Sequence, residues 1–156
     1  MKKEYKDIDV RSGDITLQQY GELREVFVNI DKLDIVTIYK KIAKILLNKE
    51  LEIKDFTEDL TNFVKQVAND MKYWAEMEAK YLNYKPSKEE IQAGIKNLNK
   101  DTSFLSTAKQ LGKDYGIDPD VVLDKWKWSK VFILLKSDLE ENNYMRRLNE
   151  IILKKK

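Results

Sequence analysis

The sequence predicts an all-α fold of six to seven helices, and three observations carry that prediction. Glycine and proline are scarce, five and two in 156 residues, which leaves few sites for the tight turns of a many-stranded sheet. Apolar residues recur at three- and four-residue intervals over long stretches, the period of a helix face. Charged residues make up 36% of the chain, above the ~25% of ordinary domains, beside a normal 42% of hydrophobic ones. That is the composition of well-solvated helices around a real core. The expected organisation is an N-terminal arm over residues 1–15 and a single helical domain over residues 16–156.

The arm begins with the charged run MKKEYKD and continues through Ile8, Val10 and Ile15 around Ser12-Gly13. This alternation fits either an extended arm or a small hairpin. A solvated tail has no use for three apolar side chains. They are therefore expected to be covered by a neighbouring subunit or by this chain's own helices. Thr16 to Gln19 matches a capping box, opening a helix to about Asn29 with Tyr20, Leu23, Val26 and Phe27 on one side. Ile35, Ile38, Tyr39, Ile42, Ile45 and Leu46 predict a second helix, with Lys40, Lys41 and Lys44 opposite and a break at Asn48-Lys49-Glu50.

Asp55 to Glu58 reads as another capping box, ahead of the longest periodic segment. Leu60, Phe63, Val64, Val67, Met71, Trp74, Met77 and Tyr81 repeat near every 3.5 residues, the signature of bundle packing. Tyr84-Lys85-Pro86 is expected to end that helix, because proline disfavours helical geometry in the residue before it. Ser87 to Glu90 is a third capping box, expected to start a short helix through Ile91, Ala93, Ile95 and Leu98 before a polar turn over residues 97–102.

Residues 103–128 have the layout of a helix-turn-helix unit. Thr107, Ala108 and Leu111 form one stripe, and Tyr115-Gly116 supplies a stop in which glycine takes the left-handed cap. Ile117 plugs the turn. Asp118-Pro119 restarts the chain with an acceptor and a proline at the first helical position, and Val121, Val122, Leu123 and Trp126 give the new helix its apolar side. A long last helix follows through Val131, Phe132, Leu134, Leu135, Leu139, Tyr144, Leu148, Ile151 and Ile152. It ends in Lys154-Lys155-Lys156, well placed at the negative end of the helix dipole.

Residue types bound the chemistry. With no cysteine there are no disulfides and no thiolate metal sites. With no histidine, the commonest general base and metal ligand are missing, and so is a di-iron site of the Glu-x-x-His kind at Glu76 and Glu78. No phosphate-binding loop, dinucleotide fingerprint or nucleophile elbow occurs. An enzyme is not expected, and neither a metal nor another cofactor. The apolar run Val131 to Leu135 is too short to cross a bilayer, and the N-terminus has no apolar segment of a signal peptide. A soluble intracellular protein without membrane contact is the expectation.

The helix-turn-helix unit raises a DNA-binding regulator or a DNA-packaging accessory protein as the alternative, with Lys125, Lys127, Arg146 and Arg147 as its candidate residues. Against it, Asp118, Asp120 and Asp124 offset the two lysines on the second helix, and the net charge of +2 is small for a protein that displaces counterions. Nucleic acid is not the favoured partner. Trp126 and Trp128 sit two residues apart and so on different faces. Both in the core is the plain reading, and one exposed would anchor a protein interface, together with Ile8, Val10 and Ile15.

The order of motifs in the second half resembles small morphogenesis proteins of tailed bacteriophages, including tail-assembly-chaperone-like proteins. The resemblance rests on Trp74 and Glu78, Tyr84-Lys85-Pro86-Ser87, Glu89-Glu90-Ile91 and Ala93-Gly94-Ile95. It continues through Ser106-Thr107-Ala108, Leu111, Asp118-Pro119-Asp120-Val121-Val122-Leu123, Trp126, Val131-Phe132 and Asp138-Leu139-Glu140-Glu141, covering about residues 70–150. It implies a non-enzymatic assembly or virion structural role. The implied partners are other phage structural or assembly proteins, or further copies of the chain. The implied location is the host cytoplasm during assembly, and then the virion if the protein is retained. It brings no catalytic residue with it.

Overall fold

A computed structural model describes residues 4–83, 88–93 and 104–154. The expected stop at Tyr84-Lys85-Pro86, the cap Ser87, Gly94, Ile95 and Leu98, the turn over residues 97–102, and Lys155-Lys156 lie outside the described residues. The architecture is all-α: α1 Leu17–Val28, α2 Ile35–Leu47, α3 Glu58–Tyr81, α4 Lys88–Gln92, α5 Phe104–Tyr115, α6 Pro119–Lys125 and α7 Trp128–Lys154. Single 3-10 turns precede α1, α2 and α3 at Tyr5–Asp7, Ile30–Lys32 and Ile53–Asp55.

Local chemistry sets most of the boundaries. The Thr16 hydroxyl accepts the Gln19 N–H at 3.2 Å while the Gln19 side chain accepts the Thr16 N–H at 3.0 Å, so the capping box is closed both ways. The amide of the same Gln19 donates to the Ile45 carbonyl at 3.1 Å, which ties α1 to α2. Asp34 caps α2 through the Thr37 N–H, and Asn48 closes that helix in the left-handed conformation at φ 51°. Between α5 and α6, Gly116 turns the chain at φ +65°, a conformation that needs no Cβ. The Ile117 N–H then reaches back to the Gly112 carbonyl at 2.8 Å, and Asp118 caps α6 with Pro119 at its first position.

The capping box expected at Asp55 to Glu58 falls elsewhere. Helix α3 is capped by Thr57, whose side chain accepts the Leu60 N–H at 3.3 Å. The Asp55 carboxylate is already occupied by the Glu52 N–H at 2.8 Å and the Lys49 ammonium at 2.6 Å. Val121, expected on the apolar side of α6, is exposed, and Val122 takes the core position instead.

Of the two covers expected for the first apolar residues, the structure has this chain's own helices. Among the described residues 4–15 there is neither a hairpin nor a free arm. Val10 and Ile15 belong to the same apolar core as Leu23, Ile42, Leu60, Leu111 and Val131. The Trp74 indole N–H donates to the Val10 carbonyl at 2.8 Å, deep inside the molecule. Carbonyls of this segment then cap α7: the Trp128 N–H donates to Ile15 at 2.7 Å and the Ser129 N–H to Gly13 at 3.2 Å. The Leu17 N–H donates to Trp126 at 2.9 Å, completing a two-way clasp at the one isolated bridge among the described residues, Thr16 with Lys127. A helix start leaves backbone donors without partners, and here another segment's backbone fills the role of a capping side chain.

Candidate protein-interaction site

The structure places each of the interface candidates read from the sequence. Val10, Ile15 and Trp126 are buried in this chain's own core, and Trp128 is only 4% exposed. Ile8 is half-buried against the same core. Four of the five are turned inward, and Ile8 keeps part of its side chain at the edge of an open groove beside Tyr5 and Phe63. Trp128 stacks face to face on Tyr20 at 3.7 Å between centroids, and meets Trp74 and Phe132 edge-on at 5.8 and 5.9 Å. Trp126 is capped by the Lys130 ammonium 3.7 Å above its ring. The reason is geometric. The backbone between the two indoles pairs with residues 15–17, which turns both side chains inward from a non-helical bend.

The residues of the DNA alternative are not brought together as a reading face. Lys125 ends α6 and Lys127 lies in the bend, where its ammonium pairs with Asp14 at 3.0 Å. Arg146 and Arg147 lie on the far half of α7. The exposed side of α6 presents Asp120, Val121 and Asp124 beside Lys125, a surface without net positive charge.

A polar arrangement that sequence reading passed over lies between α1 and α3. The Tyr20 hydroxyl donates to one oxygen of Glu78, and Arg24 pairs with the other at 3.2 Å. Burial pushes the Tyr20 hydroxyl far above its ordinary range, and the adjacent carboxylate pushes it further, so it stays protonated. These groups edge an open cleft of about 870 Å³, together with Phe104, Trp128 and Leu135. Glu78 is committed to two partners, so its role here is to fasten α1 to α3. Eight residues earlier on α3, buried Asp70 accepts from Gln66 at 2.9 Å; burial holds its carboxyl above the usual range, opposed by that hydrogen bond and by Arg11. Both acids sit at positions continuous with the Val67, Met71, Trp74 stripe. A carboxylate on an apolar stripe was the available signal.

Exposed apolar side chains are spread over several elements, Ile53, Leu105, Val121 and Ile133 among them, but two sets lie close together in sequence. One lies at the α1–α2 corner, with Val28, Ile35 and Val36 exposed. The other is the second half of α7, where Tyr144, Met145, Ile151, Ile152 and Leu153 are exposed and no residue after Phe132 is buried. Contiguous exposed apolar patches are candidates for binding surfaces. Among the described residues, no helix is long and apolar enough to cross a membrane, and no cluster of acidic side chains has metal-ligand geometry. Compared with protein-family models, curated proteins and solved structures, the chain matches none.

Proposed function

We infer that this chain is a non-enzymatic assembly or structural protein of tailed-phage morphogenesis, of the tail-assembly-chaperone-like kind, and that it works through protein–protein contact. The observation that carries the reading is the second half of α7, a helix that leaves the core and keeps an apolar face uncovered. A helical face of this kind is the shape in which one protein is laid into a groove, or against a helix, of another. The resemblance of about residues 70–150 supplies the setting, and the absence of histidine and cysteine fits a protein that binds and does no chemistry. DNA reading gains no support from an α6 surface carrying Asp120 and Asp124.

The test is affinity purification of the tagged chain from cells in which particles are being made, with mass spectrometry of both the captured proteins and the purified particles. Capture of a phage structural protein is the expected result. Presence in the particle then marks a virion component, and absence marks a chaperone that leaves. Normal particles without the gene, together with no captured phage protein, would overturn the reading.

A further inference from the structure

The exposed stripe of α7 has an internal symmetry that indicates what covers it. It is centred on half-buried Leu148. Tyr144 and Met145 lie four and three residues before it, and Ile151 and Ile152 lie three and four residues after. Four of these five side chains are between 46% (Met145) and 60% (Tyr144) exposed. Residues at such offsets share one helix face. A face that reads the same from either end matches a second copy of itself turned end for end.

The charges flanking the stripe are unlike at its two ends. Asp138, Glu140 and Glu141 precede it, while Lys154 follows and the sequence continues with Lys155 and Lys156. Lys136 reaches Glu140 at 3.8 Å, an exposed pair too loose to neutralise the acidic end. Two parallel copies would set acid against acid and lysine against lysine. Two antiparallel copies set the acidic end of each against the lysine end of the other, twice over. We propose that the second half of α7 is a self-pairing surface, forming an antiparallel, two-fold symmetric helix pair with Leu148 on the axis. The stripe spans about two and a half turns, so the pair is a weak, concentration-dependent one. Symmetry makes every contact occur in duplicate. This deepens the protein-contact reading above by naming the partner of one surface.

The chain contains no cysteine, which makes the register directly testable. Sedimentation equilibrium on the full-length protein should show a reversible shift towards twice the monomer mass as concentration rises. Leu148→Glu should weaken this by roughly a hundredfold or more, since the buried charge appears twice at the axis. Circular dichroism on that variant separates lost pairing from lost folding. Glu140→Lys with Glu141→Lys, and separately Lys154→Glu with Lys155→Glu and Lys156→Glu, should each be monomeric, while an equimolar mixture of the two should pair. Under mild oxidation, Tyr144→Cys should cross-link to Ile152→Cys on mixing. Three results overturn the proposal: a monomer at every concentration, a dimer insensitive to Leu148→Glu, or cross-links that join Tyr144→Cys mainly to itself. Capture of phage proteins by an unsubstituted chain that stays monomeric at every concentration would leave the assembly reading standing while the self-pairing falls, so the two fail separately.

Discussion

Helix α7 is continuous over 27 residues, yet its two halves live in different surroundings. The first turns place Trp128, Val131 and Phe132 in the core, where the aromatic rings of Tyr20, Trp74 and Tyr81 close around them. Its opening N–H groups are held by carbonyls from the start of the chain. The later turns carry a similar density of large apolar side chains, but Tyr144, Met145, Ile151, Ile152 and Leu153 are exposed. Hydrophobic periodicity therefore reports that a helix has an apolar face, and says nothing about whether the cover is intramolecular. In the first half the stripe stabilises this fold. In the second it remains available for association.

Substitutions along and around α7 should separate the halves. Trp128→Ala removes the ring on which Tyr20 stacks and leaves a large cavity. A loss of about 3–5 kcal/mol in a urea titration is expected, and a loss below 1 kcal/mol would break the comparison. Gly13→Ala tests the clasp at the helix start. Gly13 has φ +74° and an added Cβ would lie 2.8 Å from that of Ser129, so a cost of roughly 1–3 kcal/mol is expected by thermal unfolding. Tyr20→Phe keeps the stacking and deletes the hydrogen bond to Glu78; about 1 kcal/mol should be lost, since Arg24 still pairs with that carboxylate.

Asp70→Asn should act in the opposite direction. The folded protein holds the Asp70 proton more tightly than the unfolded chain, whose ordinary value is 3.8. Stability from this group therefore falls as pH rises through the window above 3.8, and the ionised, buried carboxylate is a cost at pH 7. The asparagine variant should melt higher at pH 7, with the gap closing as pH approaches 3.8, a pattern that melting curves across pH will reveal. The smallest effect belongs to the far half of α7. Ile151→Ser, measured at a concentration where the protein is monomeric, should change stability by no more than about 0.5 kcal/mol. A loss of several kcal/mol there would mean that the second half is part of the core after all.

Much of the helical frame was legible in the residues because its signals are local. Thr16 with Gln19, Gly116, and Asp118-Pro119 each act within a few positions of themselves, and the stripes of α2 and α3 follow directly from period. Which of the two expected covers residues 8–15 take was not legible. The decisive contacts are backbone carbonyls at Val10, Gly13 and Ile15, and a carbonyl leaves no mark in the identity of its residue. Trp126 and Trp128 were ambiguous for a related reason: their direction depends on a non-helical bend fixed by a distant segment. Thr57 outcompeted Asp55 as a cap because Asp55 had a lysine and a turn to serve. The candidate site on α7 was visible as a stripe, while its exposure was not.

The clasp between residues 13–17 and 126–129 also fixes an order of events during folding. It joins the beginning of the chain to a segment near its end, so every residue between them must be looped before those hydrogen bonds can form. Helices α1 to α3 can form from local signals as they leave the ribosome, but Val10, Ile15, Tyr20 and Trp74 have no lid until Trp128 and Phe132 are made. During synthesis the growing protein therefore carries an open aromatic seat, closed only once the start of α7 is made. Long-range closure of this kind slows folding and prolongs the exposure of apolar surface. A chain truncated just before Trp126 should accordingly retain helix by circular dichroism, yet lack a cooperative melting transition.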